Sequence, residues 1–211
     1  MMRIGFLASH RGSNMQAVVE ACRAGVLSAE AAVLVCNNRS AEVVVRAERE
    51  GIPAYVLNAT THPDPAALDQ AMLGALQRHG CEVVVLAGFM KKIGPQVLHA
   101  FGGRILNLHP SLLPKFGGLG MYGRAVHEAV LASGDKLTGV TIHLVSEAYD
   151  EGRILAQCEV PVMAGDTVEV LAERVLAQEH AFLVETLSAI ADARIVLPTV
   201  GGKSAAKERE A

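Results

Sequence analysis

The sequence predicts an α/β fold, in which a Rossmann-like, mostly parallel sheet is flanked by helices and carries an antiparallel hairpin at its C-terminal edge. Three observations support this fold. Short apolar runs alternate with helical patterns over the first 110 residues. The runs lack polar alternation, as strands buried on both faces do. Two later strand patterns flank the turn sequence SEAYDEG. Alternating strands and helices are typical of right-handed crossovers between parallel strands.

Five apolar runs rich in Val, Ile and Leu are the predicted parallel strands. They are RIGFLA (3–8), AAVLVC (31–36), PAYVL (53–57), EVVVLAG (82–88) and RILNL (104–108). The predicted hairpin strands are GVTIHLV (139–145), whose apolar and polar residues alternate, and RILAQCEVPV (153–162). Alternation indicates that the first hairpin strand has one polar face.

Helical periodicity separates the parallel strands. In SNMQAVVEACRAG, apolar residues recur at helical spacing from Met15, and Gly25 can end the helix. Ser40 is placed to cap the second helix. Asp64 followed by Pro65 gives the third helix a cap and a proline in its first turn.

The regular alternation of strand and helix patterns ends after residue 110. PSLLPKFGGLGMYGR, punctuated by Pro and Gly, is predicted as a long loop. The last helix is predicted over DTVEVLAERVLAQEHAFLVETLSAIAD, with Asp166 and Glu169 at capping-box spacing. GGKSAAKEREA is a charged tail led by glycines. We therefore predict one domain over residues 1–200 and a disordered tail over 201–211.

Composition limits the possible functions. The formal net charge of −3 argues against a nucleic-acid partner, which usually requires a basic surface. The four cysteines form no CxxC pair and read as core thiols of a reducing compartment. The sequence contains neither a signal-peptide pattern nor a long apolar run. We expect a cytoplasmic protein without a membrane partner, and its oligomeric state stays open.

The turn after the first strand predicts an anion site. Gly12, Ser13 and Asn14 of ASHRGSN lie where a helix begins, and Arg11 can add charge. Unpaired backbone N–H groups and the positive end of the macrodipole favour a phosphate there. The turn matches neither GxGxxG nor a P-loop. An ordinary helix start after a tight turn is the alternative, and these residues alone leave both readings open.

Two polar side chains end the fifth strand. Asn107 and His109 are two residues apart, so they project to the same side of the strand. The carboxyl end of a central strand is where open α/β sheets bind ligands. An amide can donate to a developing oxyanion, and an imidazole can transfer a proton near neutral pH. A purely structural role for the histidine is the alternative.

Asp150 lies in the turn of the predicted hairpin. If its carboxylate lies beside His109, it raises the pKa of the imidazole and keeps the ring protonated. A solvated turn carboxylate is the alternative, because the sequence alone does not supply the contact.

Four motifs occur in a fixed order: GSN after the first strand, AGFMKKI after the fourth, NLHPSLLPKF, and the later DEG. In this order they resemble the glycinamide ribonucleotide formyltransferases, the folate-dependent enzymes of purine biosynthesis. The resemblance spans residues 2–198 and implies formyl transfer from 10-formyltetrahydrofolate to the amine of glycinamide ribonucleotide, without a metal. It further implies one formyltransferase domain, with a phosphate-binding half over 1–102 and a catalytic and folate half over 103–200.

The resemblance also implies roles for individual residues. Asn107 would hydrogen-bond the tetrahedral oxyanion, His109 would donate a proton and stabilise charge, and Asp150 would hold that imidazole charged. His143 matches a histidine often found in the family, and on the polar face of an edge strand we expect it to be supporting. The residues implied to contact the ribonucleotide are Gly12, Ser13, Asn14 and Glu179. Those implied to contact the folate are Met90, Lys91, Lys92, Ile93 and Asn107.

Three features depart from the family pattern. Pro65 stands where many members carry an arginine that reaches the folate. FGGLGMYGRAVHEAV is longer than in the best-known bacterial members, and Arg153 follows DEG where proline is frequent. These differences bear on one folate contact, on the loop near the substrates and on the hairpin, but not on the reaction type.

Other functions stay open at this level. A formyltetrahydrofolate hydrolase of the same fold would share the Asn, His and Asp residues but usually carries an N-terminal regulatory domain. Methionyl-tRNA formyltransferase would need a further C-terminal domain. A non-catalytic nucleotide-binding module would give no reason for the three residues to occur together. The GSN turn favours a phosphorylated acceptor over hydrolysis.

Overall fold

The computed structural model describes residues 1–198 and contains seven strands and six α-helices within them. The strands are β1 (Met2–Ala8), β2 (Ala29–Cys36), β3 (Ala54–Val56), β4 (Val83–Leu86), β5 (Ile105–His109), β6 (Leu137–Leu144) and β7 (Ile154–Pro161). The helices are α1 (Ser13–Arg23), α2 (Glu42–Arg49), α3 (Pro65–Arg78), α4 (Pro95–Ala100), α5 (Arg124–Ser133) and α6 (Val168–Ala191). The predicted tail at 201–211 lies outside the described residues.

All seven strands form one sheet in the order β3-β2-β1-β4-β5-β6-β7. Strands β1 to β5 are parallel, whereas β6 pairs antiparallel with both β5 and β7. The predicted fold class is therefore confirmed, including the antiparallel hairpin at the C-terminal edge. Because the chain leaves β1 towards β2 and later returns to β4 on the other side, a crevice opens at the carboxyl ends of β1 and β4.

The side chains of β1 divide between two apolar layers. Ile4 and Phe6 pack in the layer that contains Leu183 of α6. Leu7 packs on the opposite face, in the layer that contains Leu76 of α3. Burial on both faces explains why the sequence of β1 is apolar at successive positions. Each fully buried Leu or Phe side chain stabilises the fold by about 1.5–3 kcal/mol.

The predicted caps of the second and third helices have different outcomes. Asp64 caps α3 as predicted, since its carboxylate accepts hydrogen bonds from the backbone N–H groups of Ala66 and Ala67, both at 3.2 Å. Ser40 does not cap α2, because the N-cap is Ala41 and no side chain caps that helix. That prediction was wrong by one position, and the preference for a hydroxyl at the cap did not decide where the helix begins.

The capping box predicted for the last helix is also wrong. Thr167 is the N-cap of α6, and its hydroxyl accepts a hydrogen bond from the N–H of Val170 at 3.3 Å. Asp166 instead accepts two hydrogen bonds from Arg174, at 2.6 and 2.7 Å. A bidentate pair with a guanidinium is stronger than a neutral cap bond, which accounts for the outcome.

Two helices were not predicted. α4 is short and begins at a proline, and α5 follows the loop predicted after residue 110. Gly134 ends α5 in the left-handed conformation, a stop signal that the sequence carries. Within residues 1–198, no helix has the length and apolar character needed to cross a membrane.

Candidate active site

A cavity of about 690 Å³ lies at the carboxyl ends of the parallel strands. Its walls come from the segment after β4, the end of β5, the 118–124 loop with α5, the 145–150 turn and the first turns of α6. The sheet therefore places its candidate site where open α/β sheets bind ligands. The predicted site residues that line the cavity are Asn14, Met90, Lys91, Lys92, Ile93, Asn107, His109, Asp150 and Glu179.

Asn107 and His109 project into the cavity from the last residues of β5. The antiparallel pairing with β6 sets His143 opposite Asn107 and Thr141 opposite His109. His109 is only 3% exposed. The period of two along the strand thus brings both polar side chains to one cavity, as the sequence predicts.

The contacts of His109 indicate which nitrogen of its neutral ring carries the proton. Nε2 lies 2.7 Å from the carbonyl oxygen of Phe116, and Nδ1 lies 3.5 Å from Oδ2 of Asp150. Burial lowers the pKa of His109, while Asp150 and the Phe116 carbonyl raise it without reversing the shift. The neutral ring must carry its proton on Nε2 to donate to Phe116. A second proton would enter at Nδ1, beside Asp150.

The protonation state predicted for His109 therefore needs correction. Asp150 does raise the pKa of the imidazole, as expected, but burial has the larger effect and the net shift is downward. Removing a charged group from water disfavours its charged form. The lowered pKa favours the neutral ring, rather than a ring held charged by Asp150.

Asp150 is half-buried and lies near two histidines. Its Oδ1 lies 3.5 Å from Nε2 of His143, and its Oδ2 accepts a hydrogen bond from the N–H of Gly118 at 3.0 Å. Burial alone would raise the pKa of Asp150, but the contacts with His143, Gly118 and His109 together lower it. The carboxylate is therefore ionised at neutral pH, and the alternative of a solvated turn residue is wrong.

The turn that carries Asp150 is backbone-constrained. Asp150 has φ of 57°, a left-handed value uncommon for a residue other than glycine. Gly152 follows, and a Cβ at that position would overlap the carbonyl oxygen of Leu144. Both features are compatible with the DEG motif, because the turn needs glycine at 152 and tolerates aspartate in the left-handed region.

His143 is more central than the sequence predicts. The strand β6 lies between β5 and β7 and is not an edge strand, and His143 is 2% exposed. Its Nδ1 lies 3.0 Å from the carbonyl of Leu144; in the neutral tautomer with the proton on Nδ1, Nε2 accepts from Nδ2 of Asn107 at 3.1 Å. In this tautomer His143 sets the orientation of the Asn107 side chain, with the amide nitrogen towards His143. The second N–H of the Asn107 amide is then left to donate to a ligand.

The GSN turn forms the start of α1. Gly12 is the N-cap with φ of 69°, and a Cβ there would overlap the side chain of Val43, so two features require glycine. Asn14 lines the cavity, whereas Gly12 and Ser13 do not. The first N–H groups of a helix have no intrahelical acceptor, so the turn retains the capacity to bind an anion.

Asn14 and Glu179 form a buried pair between α1 and α6. Nδ2 of Asn14 donates to Oε2 of Glu179 at 2.9 Å, and each residue is 9% exposed. Burial raises the pKa of Glu179, and the bond from Asn14 offsets this only in part. Oδ1 of Asn14 is buried without a hydrogen-bond partner among the described residues. One N–H of the Asn14 amide is thus directed at Glu179, and the turn still offers an anion its backbone N–H groups.

The segment after β4 forms another wall. Met90, Lys91, Lys92 and Ile93 all line the cavity, with Ile93 buried and Met90 38% exposed. The N–H of Met90 donates to Oγ of Ser9 at 2.9 Å, which ties this segment to the end of β1. The wall combines apolar side chains with two ammonium groups at its rim.

One lining residue, His127 of α5, was not predicted at all. The helix that carries it was missed, although Val126 and Val130 are four residues apart and Gly134 follows. Among the described residues, no group of three His, Cys, Asp or Glu side chains is arranged to hold a metal ion.

The fold and this site together define the class of the protein: the chain belongs to the formyl transferase family, whose model, described as Formyl transferase, matches residues 2–187. It is 42% identical to the chloroplastic phosphoribosylglycinamide formyltransferase of Arabidopsis thaliana, over 92% of this chain and 66% of that protein. It is 38% identical to the phosphoribosylglycinamide formyltransferase of Bacillus subtilis, over 85% of this chain and 90% of that protein. A crystal structure of glycinamide ribonucleotide transformylase 1 from Symbiobacterium toebii is similar with a TM-score of 0.86 and 40% identity, covering 94% of this chain and 91% of that one.

Proposed function

We propose that this protein transfers the formyl group of 10-formyltetrahydrofolate to the amine of glycinamide ribonucleotide, a step of de novo purine biosynthesis. The observation that carries the proposal is the convergence of Asn107, His109 and Asp150 on one cavity, with His109 and Asp150 3.5 Å apart. The names of the relatives support the same reaction.

The proposal assigns the two substrates to different walls of the cavity. The phosphate of the ribonucleotide binds at the start of α1, through Gly12, Ser13 and Asn14, and Glu179 contacts the same substrate. The folate lies against Asn107 and the wall formed by Met90, Lys91, Lys92 and Ile93. Residues 1–102 thus supply the phosphate-binding turn and the 90–93 folate wall, and residues 103–200 supply the catalytic residues and Glu179.

The chemistry requires no covalent intermediate with the protein. The neutral amine of the ribonucleotide attacks the formyl carbon, a C–N bond to the acceptor forms, and the bond to N10 of the folate breaks. One proton leaves the amine and one enters at N10, so the transfer causes no net uptake or release of protons. Holding both substrates side by side and stabilising the oxyanion are the main catalytic effects.

In this mechanism Asn107, His109 and Asp150 have different roles. Asn107 donates its free N–H to the oxyanion, because its other N–H is directed at His143. His109 starts neutral, donates from Nε2 and can take the released proton at Nδ1. The ionised Asp150 stabilises the imidazolium that then forms. For Nε2 to reach the substrate, the Phe116 carbonyl must release it.

The experiment that tests the proposal compares formyl loss from 10-formyltetrahydrofolate with and without glycinamide ribonucleotide. We expect formyl transfer with the ribonucleotide and negligible loss without it. Equal loss in both samples would make the protein a formyltetrahydrofolate hydrolase. Binding of both substrates without turnover would favour the non-catalytic nucleotide-binding module.

A further inference from the structure

The side chain of His127 is a buried imidazole to which the proposed mechanism gives no task. It lies one turn into α5, is 6% exposed and lines the cavity. His109 is near enough to lower the pKa of His127, after the larger effect of burial. Both effects favour the neutral ring, so His127 enters any reaction as an uncharged group.

The environment of the ring indicates which nitrogen carries the proton. Nδ1 is buried and has no hydrogen-bond partner among the described residues. A buried N–H without an acceptor is rarer than an unpaired lone pair, so the proton belongs on Nε2. Because Nδ1 has no exposed surface, the opposite edge of the ring, which carries Nε2–H, is the part left to face the cavity.

The position of α5 indicates which substrate this donor meets. Arg124, at the start of α5, pairs with Glu169 in the first turn of α6. Two turns and more along α6, Glu179 lines the same cavity. The folate wall proposed above comes instead from the segment after β4. The α5 and α6 wall is therefore on the side of the ribonucleotide.

We propose that Nε2–H of His127 donates a hydrogen bond to an oxygen atom of the phosphorylated substrate that carries the acceptor amine. This bond helps to select that substrate. This inference rests on the proposed function and adds a binding residue to it. A neutral imidazole with its proton already on Nε2 cannot accept another proton there. In this role His127 binds the acceptor substrate through the N–H that it already carries.

The test combines steady-state kinetics with calorimetric binding of glycinamide ribonucleotide in the absence of folate. The variants are His127→Leu, which removes the donor, and His127→Gln, whose amide nitrogen can take the place of Nε2. His180→Leu is the matched control, because His180 also has a buried ring nitrogen without a partner among the described residues but does not line the cavity. If His127→Leu does not fold, His127→Asn replaces it, since its short amide cannot reach the position of Nε2.

The loss of one neutral hydrogen bond should raise KM and Kd for the ribonucleotide about three- to tenfold in His127→Leu. His127→Gln should restore most of the affinity, and kcat and the KM for the folate should change less than about twofold. An unchanged Kd, a fall in kcat alone, a rise in the folate KM or an equal effect in His180→Leu would overturn the inference. Wild-type protein that binds no ribonucleotide would instead overturn the proposed function.

Discussion

At the scale of single residues, the candidate site is a chain of four polar side chains rather than the three that the sequence indicates. Nε2 of His143 lies near both Asn107 and Asp150, and Asp150 reaches His109. All four are shielded from bulk water to different degrees, so each contact acts in a medium where electrostatic interactions are stronger than in water. The roles of Asn107, His109 and Asp150 stay predictions that kinetics must test.

Replacing Asp150 by Asn tests how the carboxylate acts on His109. Asp150 raises the pKa of the imidazole, so its loss should lower that pKa further. The acidic limb of the kcat profile, where the neutral ring is lost, should then move to lower pH. We expect kcat at neutral pH to fall about 100-fold or more. An acidic limb at the same pH as in the wild type would show that Asp150 has no part in the mechanism.

A double-mutant cycle tests whether His143 acts through Asn107. Because His143 fixes the orientation of the Asn107 amide, His143→Phe should lower kcat about tenfold or more in the wild-type background. The same change should cost much less when Asn107 is already Ala, since neighbouring groups with a shared function are not additive. Full additivity of the two changes in kcat would contradict this role.

The sequence predicts part of this site and not the rest. Asn107 and His109 follow from the period of two along one strand, which is a local property. Whether Asp150 reaches His109 depends on the length and pairing of β6 and β7, which the sequence leaves open. His143 was underestimated because β6 was taken as an edge strand, and His127 was missed together with its helix.

At the scale of secondary-structure elements, the ion pair between Asp166, in the turn before α6, and Arg174, within α6, depends on pH. Arg174 holds the pKa of Asp166 at about 2, below the ordinary value of 3.8. A folded-state pKa below the unfolded one adds stability above the unfolded value, and that stability is lost as the pH falls. The window of this loss therefore runs from about pH 4 down to about pH 2.

Urea unfolding of the wild type and of Asp166→Asn measures this contribution. Above pH 5 the wild type should have the larger free energy of unfolding, because the amide cannot replace the paired charge. The difference should shrink as the pH falls through 2, because Asp166 is protonated in both states of the wild type only below its folded-state pKa. Glu169→Gln provides a control for a more exposed ion pair in the same helix. A difference that is independent of pH would contradict the assignment.

Element types were easier to predict than element ends. Apolar runs identified all five parallel strands, and the pattern is clearest where burial on both faces leaves no polar alternation, as in β1 and β4. The caps at Ser40 and Asp166 failed because several polar residues lie near each helix start, and tertiary contacts such as the Asp166–Arg174 pair decide among them. The helix α4 has only six residues, and α5 follows directly on the Gly-rich loop that the sequence shows, which obscures its start.

At the scale of the whole molecule, strand order brings the site together. The carboxyl ends of β1, β4 and β5 meet at one edge of the sheet, and the antiparallel β6 and β7 return the chain so that the turn at Asp150 lies over the end of β5. Residues far apart in sequence thereby share one cavity. Alternating strands and helices predict this edge, but not which loops close over it.

In the proposed mechanism His109, supported by Asp150 and placed beside Asn107, directly promotes the transfer of the formyl group. The most direct test is the single-turnover rate of formyl transfer to glycinamide ribonucleotide by His109→Asn, with both substrates saturating. We predict a rate about 10²- to 10⁴-fold below that of the wild type, because general acid–base catalysis by the ring is lost. A rate within about twofold of the wild type would contradict the account.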